Sequence, residues 1–162
     1  MKTLDYLHLD EKKVESVVAA LKQLLADYQI FYTNLRGFHW NVKGKGFFTL
    51  HAKYEELYND AAEKVDEVAE RILQLGSAPE SRYSAYLQTS EIKEAGVVSC
   101  AKEGIDLLLD SYKTLIARER KIIELASDAK DDTTVSLISD FLKDQEKTVW
   151  MLVAVRSQSC AE

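Results

Sequence analysis

Two histidines and two carboxylates are the residues of this chain whose types and spacing suit a bound metal ion. His39 and His51 stand twelve residues apart, on either side of a glycine-containing stretch. Asp66 and Glu70 are four residues apart, which places both side chains on one face of a helix. Imidazole and carboxylate ligands suit Fe(II), Mn(II) or Zn(II), and the ligand set alone does not select among these metals.

Each pair also has a purely structural interpretation. Histidines on apolar faces at the end of a hairpin are compatible both with metal binding and with hydrogen-bonded positions in a core. Asp66 and Glu70 could instead be exposed residues that form salt bridges with Lys64 or Arg71. The pattern of residues leaves both interpretations open.

Long helices must position these residues, because apolar side chains recur along most of the chain at alternating steps of three and four. The first helix is predicted from about Asp10 to about His39. A second run of the same period includes His51 and stops at Gly76, and two later runs begin near Val98 and Val135. We therefore expect four long helices and no sheet.

The connections between these helices predict how they are arranged. About 15 residues, from Gly76 to Ser90, can span roughly 50 Å, whereas the second helix is about 42 Å long, so this connection can return along the bundle. A short helix near Ser81 to Leu87 would fit within it. We expect an all-α, ferritin-like four-helix bundle with a long crossover that carries a short helix, as one domain over residues 1–162. An up-down-up-down bundle with a loose connection is the alternative.

The length of the second helix limits where a shared metal site can form. His51 and Asp66 are separated by fifteen residues, about 22 Å along the helix axis, which is too far for one metal ion to bind both. A two-fold dimer with antiparallel second helices would bring the histidine end of one chain to the carboxylates of the other. A second apolar strip beside the carboxylates favours such a contact, and it contains Ala62, Ala69 and Leu73.

A metal site inside the bundle is not expected. The chain has none of the Glu-x-x-His motifs that hold a di-iron centre between the helices of one bundle. Glu119 and Gln145 fall on apolar faces, but Glu119 lies near the end remote from His39 if the crossover returns along the bundle. Glu119 is therefore predicted to be a paired residue at the edge of the bundle.

Composition excludes several other classes of protein. The 46% hydrophobic content excludes disordered and collagen-like chains, and no apolar run reaches the roughly 20 residues that span a membrane. The net charge of −6 disfavours nucleic acid as a partner of the average surface. Without a signal peptide the expected location is the cytoplasm. Cys100 and Cys160 have no zinc-binding spacing and are expected to be buried or idle thiols.

The spaced combination of these residues resembles the Dps family of mini-ferritins. Its elements are His39-Trp40-Asn41, His51, Asp66-x-x-x-Glu70-Arg71, Leu75-Gly76 and Lys147-Thr-Val-Trp150. The resemblance implies a ferroxidase that oxidises Fe(II), preferably with hydrogen peroxide but also with oxygen, and stores the ferric mineral in a hollow dodecamer. It also implies two iron ions at each inter-subunit site, the second more weakly bound, and protection against oxidative stress.

The resemblance also assigns roles to single residues. His39 and His51 would be ligands from one subunit, and Asp66 and Glu70 ligands from its partner. Glu55 is a weaker candidate ligand, for the second iron. Trp40 would donate an electron and quench radicals beside the centre. An aromatic plug at the end of the helix is the alternative for Trp40.

Iron entry and DNA binding are two further features of that family to be placed in this sequence. The candidates for an acidic entry pore are Asp131, Asp132, Asp140 and Glu146, which could instead be solvated capping residues. Ser136 stands where some relatives have a pore aspartate.

Neither terminus is a Lys/Arg-rich arm of the kind that neutralises phosphates, so DNA binding is possible but not supported by a basic tail. The remaining alternatives are a DNA-compacting protein with incidental metal binding and a purely structural bundle.

Overall fold

The computed structural model describes residues 3–157. All regular secondary structure in that range is helical, and it contains no strand. A short helix α1 (Leu4–Leu7) precedes the bundle. The other helices are α2 (Glu11–Asn41), α3 (Phe47–Gln74), α4 (Tyr83–Thr89), α5 (Ala101–Asp128) and α6 (Asp132–Arg156). The expected four long helices and short crossover helix are confirmed. Helix α1 was not predicted, because four residues are too few to show a helical period.

Short polar residues and glycines set the helix ends, both at the start of α2 and at the α2–α3 hairpin. The Asp10 carboxylate accepts a hydrogen bond from the Lys12 amide at 2.9 Å and so caps α2. Helix α3 begins after Gly46, whose φ of 89° is a left-handed conformation that suits glycine. The reversal between α2 and α3 therefore needs only the few residues that the sequence provides.

Residue pairs between the helices establish the topology. Tyr28 of α2 donates a hydrogen bond to Glu119 of α5 at 2.7 Å, and the rings of Phe31 and Tyr112 lie 5.2 Å apart. Numbers rise along α2 as they fall along α5, so these helices are antiparallel. Helix α2 is also antiparallel to α3, to which it is joined by a hairpin. Helices α3 and α5 thus run in the same direction, which requires the long crossover and excludes the up-down-up-down alternative.

Polar side chains of α2 attach the crossover to the bundle. The buried Asp27 carboxylate accepts hydrogen bonds from the Ser90 hydroxyl at 3.0 Å and the Glu91 amide at 2.8 Å. Further along α2, the Asn34 amide donates to the Lys93 carbonyl at 2.8 Å. Burial raises the pKa of Asp27, although these hydrogen bonds oppose the rise. The crossover is therefore held at defined points instead of lying loosely on the surface.

One hydrophobic core lies between the four long helices. Helix α2 packs against α3, α4 and α5, so its buried face is wider than the single stripe that its sequence period indicated. The additional buried residues on α2 include Val17, Leu24, Phe31 and Phe38. In the described part of the chain, no helix combines the length and apolar character needed to cross a membrane.

Glu119 lies inside this core, so its predicted place at the edge of the bundle is wrong. Its side chain has no exposed surface and accepts hydrogen bonds from the Tyr28 hydroxyl at 2.7 Å and the Gln145 amide at 2.8 Å. Burial raises the pKa of Glu119 to about 7. Two neutral donors partly replace water around the carboxylate, which is how a charged residue fits on the apolar stripe of α5.

The ends of α3 and α6 are joined by a second buried polar cluster. The Arg71 guanidinium lies 2.5 Å from the Asp131 carboxylate and donates to the Thr134 hydroxyl at 2.8 Å. Asp131 also caps α6 by accepting a hydrogen bond from the Thr134 amide at 3.1 Å. Asp131 is only 1% exposed, so it cannot line an acidic pore as the sequence suggested.

Cys100 is exposed, which corrects the expectation of a buried thiol. It immediately precedes α5 and takes an extended conformation there. Cys160 lies outside the described residues.

We predict that Glu119→Gln removes a pH dependence of stability. A carboxyl whose pKa rises from 4.5 to about 7 on folding stabilises the protein below pH 4.5 relative to higher pH, and this advantage is lost as the pH rises through 7. The free energy of unfolding of the parent should therefore fall by up to about 3 kcal/mol between pH 4.5 and pH 7 because of this group. Chemical unfolding at pH 5 and pH 8 measures it, with the exposed Glu124→Gln as control. A parent-like profile in Glu119→Gln would contradict the prediction.

A second prediction concerns the α3–α6 cluster. Asp131→Ala should lower the free energy of unfolding by about 3 to 5 kcal/mol, because it leaves the buried Arg71 charge without its partner and removes a helix cap. Urea unfolding at pH 7 measures this loss. Asp128→Ala, an exposed carboxylate three residues earlier, should change the value by about 0.5 kcal/mol or less. Equal losses in the two variants would show that the buried pair has no special importance.

Candidate metal centre

The α2–α3 hairpin brings the two histidines of the predicted site together. His39 lies in the last turn of α2, and His51 lies in the second turn of α3. Their rings are stacked, with centroids 3.7 Å apart and planes 19° apart. Twelve residues of sequence separation therefore become direct contact of two imidazoles at one end of the bundle.

Reciprocal hydrogen bonds fix the tautomer of both rings. His39 Nδ1 lies 2.8 Å from the carbonyl oxygen of His51, and His51 Nδ1 lies 2.9 Å from the carbonyl oxygen of His39. A carbonyl oxygen only accepts, so each Nδ1 must carry a proton and donate it. In the neutral rings the lone pair is then on Nε2, which is the nitrogen left available to a metal ion.

Aromatic residues hold the imidazole pair in place. The Phe47 ring stacks on His51 at 5.0 Å, and the Tyr58 ring meets His39 edge to face at 5.4 Å. His39 is 9% exposed, while His51 is half-buried. The sequence analysis did not identify Phe47 as a neighbour of the site. An aromatic residue four positions before His51, on the same helix face, was the available signal.

Asp66 and Glu70 are both exposed on α3, in the arrangement expected from their spacing. Their predicted salt-bridge partners are engaged elsewhere. Lys64 is buried, forms an ion pair with Asp60, and places its ammonium 5.1 Å from the Phe141 ring. Arg71 is bound to the cluster at the start of α6. The salt-bridge interpretation is therefore wrong, and across residues 3–157 neither Asp66 nor Glu70 makes an ion pair.

A single chain does not contain a complete metal site. Within residues 3–157 of one chain, no three or more His, Cys, Asp or Glu side chains lie close enough to hold a metal ion together. His51 and the carboxylate pair lie at different levels of α3, and the fifteen residues from His51 to Asp66 span about 22 Å along the helix. Each pair supplies half of the ligands that a mixed imidazole–carboxylate site needs.

Glu55 lies one turn beyond His51 and is exposed. The Tyr58 hydroxyl donates to Glu55 Oε1 at 3.5 Å, which is the long limit of a hydrogen bond. The pKa of Tyr58 is raised, first by desolvation and then by the Glu55 charge. The Glu55 carboxylate thus lies beside the aromatic contact of His39 and remains open to solvent.

Trp40 does not plug the end of the helix, because its side chain is 63% exposed. Its ring instead packs against Arg36, whose guanidinium carbon lies 4.7 Å from the indole centroid and 5.3 Å from the Tyr32 centroid. Tyr32, Arg36 and Trp40 form a row at four-residue spacing on α2. Sequence reasoning missed Arg36, although that spacing was visible.

The other candidates for an acidic entry path remain on the surface. Asp132 and Asp140 are exposed, as is Ser136. Glu146 is exposed as well and pairs with Arg120 at 2.6 Å. With Asp131 buried, three of the four proposed acidic residues are still accessible to a cation.

Comparison with known proteins identifies the family. The ferritin-like domain model matches residues 18–158. A DNA protection during starvation protein of Porphyromonas gingivalis is 50% identical over 153 residues, which cover 94% of this chain and 96% of the relative. A DNA protection during starvation protein 2 of Bacillus anthracis is 37% identical, over 89% of this chain and 99% of the relative.

Solved structures agree with this assignment. The Dps protein of Vibrio cholerae O1, described as a member of a broad superfamily of ferritin-like diiron-carboxylate proteins, superposes with a TM-score of 0.88. It is 45% identical, and the match covers 90% of this chain and 92% of that one. Dps from Staphylococcus aureus gives a TM-score of 0.86 at 36% identity, over 90% of this chain and 97% of that one. The chain therefore belongs to the Dps family of ferritin-like proteins.

Proposed function

We propose that this protein is a ferroxidase that oxidises Fe(II) at sites shared between two subunits and stores the ferric product inside a hollow dodecamer. The observation that carries the proposal is the stacked pair His39 and His51, with both Nε2 atoms oriented for metal binding by backbone carbonyls. Membership of the Dps family supports iron storage and protection. The preferred oxidant is hydrogen peroxide, and oxygen is the slower alternative.

The surface of α3 supports the shared site. Phe48 at the histidine end is 85% exposed, and Leu73 at the carboxylate end is 54% exposed. An antiparallel pairing of two α3 helices would cover both apolar residues and bring Asp66 and Glu70 of one chain toward the histidines of the other. The desolvation cost of these carboxylates at an interface is offset if they bind a cation.

The ligands have distinct roles in this proposal. His39 and His51 bind the first Fe(II) from one subunit, with Asp66 and Glu70 from the partner. Glu55 assists the second, more weakly bound iron. Two Fe(II) ions supply both electrons that reduce one peroxide molecule to water, so no free hydroxyl radical is released. Carboxylates favour the harder Fe(III) product, and a small ligand set allows that product to leave for the mineral.

Trp40 is the proposed electron donor when only one Fe(II) is oxidised, because the reduction of peroxide to water needs a second electron. Its exposed indole lies next to His39 in the sequence and can supply the missing electron. The Arg36 guanidinium against the ring disfavours a radical cation, so the indole should lose its proton together with the electron. This arrangement would retain an oxidising equivalent within the protein.

Iron entry and location complete the proposal. The exposed carboxylates Asp132 and Asp140 are the proposed start of an acidic path for Fe(II), since negative charge attracts cations to a pore. We expect the protein to act in the cytoplasm. No basic arm supports DNA compaction as the main activity.

We predict that His39→Ala and Asp66→Ala each slow peroxide-driven iron oxidation by at least about tenfold, because each removes a ligand from the same shared site. Metal-free protein is loaded with Fe(II) without oxygen, hydrogen peroxide is added, and ferric absorbance is followed. His8→Ala and Glu67→Ala, which remove exposed residues of the same types outside the site, should match the parent. A parent rate equal to that of protein-free solution would overturn the ferroxidase proposal in favour of a structural or DNA-binding protein.

Mixed dimers of the two inactive variants test whether the ligands come from different subunits. In a dimer of one His39→Ala chain and one Asp66→Ala chain, one site carries both substitutions and the other keeps all its ligands. Random mixing makes half of the dimers mixed, so about a quarter of the parent's sites should return. Co-expressed variants with different affinity tags provide the mixture. If activity stays at the level of the separate variants, the ligands do not meet across a two-fold interface.

A further inference from the structure

Helix α5 begins without the side-chain oxygen cap that α2 and α6 have. Its N-cap residue is Cys100, with φ of −79° and ψ of 124°, the extended conformation of a capping residue. The Cys100 side chain makes no capping hydrogen bond, whereas a serine or aspartate oxygen in that position would accept one from an amide of the first turn. The amides of residues 101–103 have no partner within the helix.

A buried hydroxyl faces the same turn. Tyr54 of α3 is 1% exposed, and across the described residues its hydroxyl has no hydrogen-bond partner. A Cβ placed on Gly104 would lie 2.6 Å from that hydroxyl, so the phenol occupies the space that any other residue at position 104 would need. The Gly104 amide donates a hydrogen bond to the Cys100 carbonyl at 3.0 Å, so the Tyr54 hydroxyl lies against the same helical turn that Cys100 begins.

The beginning of α5 therefore has one buried donor without a partner among the described residues, the Tyr54 hydroxyl. It lies beside a first turn whose amides are not capped by the side chain of the N-cap residue. An unpaired buried donor costs free energy, so an acceptor at this position would be stabilised. The exposed sulfur of Cys100 is the atom that can gain one. The sulfur occupies the position of a serine cap's oxygen, so an oxygen bound to it would lie one bond further along the side chain.

We propose that Cys100 is oxidised by hydrogen peroxide, and that the oxygen added to its sulfur completes the N-cap of α5 by accepting hydrogen bonds from a first-turn amide and from Tyr54. The sulfur attacks one peroxide oxygen, the S–O bond forms, and the O–O bond breaks. The departing hydroxide takes the thiol proton and leaves as water. Sulfur loses two electrons, peroxide gains them, and a sulfenic acid remains.

This reaction needs no iron and does not rest on the ferroxidase proposal. It supplies a second way in which the chain reacts with peroxide, one molecule for each thiol instead of repeated turnover. The helix N-terminus also favours any negative charge that the oxidised sulfur acquires. The first turn of α5 should therefore be more stable in the oxidised protein than in the reduced protein.

The test uses iron-free protein carrying Cys160→Ser, which leaves Cys100 as the only thiol. Hydrogen peroxide is added with a reagent that traps sulfenic acid, and mass spectrometry locates the label. Without the trap, hydrogen–deuterium exchange of residues 101–104 is compared before and after oxidation. We expect label on Cys100 and exchange about fivefold slower after oxidation, the effect of one added capping interaction.

Two variants separate capping from a general effect of oxidation. Cys100→Ser should exchange slowly without peroxide and show no change with it, since a hydroxyl oxygen is already present. Tyr54→Phe removes only the hydroxyl, so Cys100 should still be oxidised but the slowing should be smaller. An unlabelled Cys100, a disulfide between chains, or oxidation that leaves the exchange of α5 unchanged would each overturn the proposal.

Discussion

The reciprocal hydrogen bonds between His39 and His51 set the register of α2 against α3, and the remaining features of the site follow from that register. Each ring donates to the backbone of the opposite helix, so the imidazoles hold the hairpin closed while their second nitrogens stay open. The same contact binds α2 to α3 at one end of the bundle. A metal ligand is usually oriented by a separate residue, but here each histidine supplies the backbone acceptor that orients the other.

Polar groups in the bundle are distributed so that its interior is neutral and its outer face is charged. The raised pKa of Glu119 favours the neutral form of this buried carboxyl. The Lys64 ammonium is paired with Asp60. Arg71 is held in the same way at the far end of α3. These internal pairings occupy Lys64 and Arg71, so Asp66 and Glu70 stay exposed and without an ion pair among residues 3–157. Internal pairing of these two cations therefore keeps both carboxylates available for chemistry at the surface.

Periodicity predicted the long helices, their order and the crossover, because a helical face repeats over many residues and a connection's length limits its path. It also predicted that His39 and His51 meet at the hairpin and that Asp66 and Glu70 share a face, since spacing on a helix decides which side chains lie together. It did not predict which lysine or arginine forms an ion pair with which carboxylate. Lys64 and Arg71 each stand within two residues of a candidate ligand. Their partners are instead Asp60, one turn earlier on α3, and Asp131, the cap of α6. The burial of Glu119 was missed for the same reason, since pairing across helices depends on tertiary distances.

The attachment of the crossover to α2 has a consequence for how the chain folds. The α2–α3 and α5–α6 hairpins contain mostly local contacts, so each can form early at a low cost in chain entropy. Joining them in the correct orientation requires closure of a long connection, which is the slow, entropically costly part. Asp27 and Asn34, both on α2, bind that connection, and Arg118 of α5 adds an ion pair to its Glu91. The first hairpin can therefore order the crossover before the second one docks, which favours the native chain direction over a swapped or inverted pairing of the hairpins.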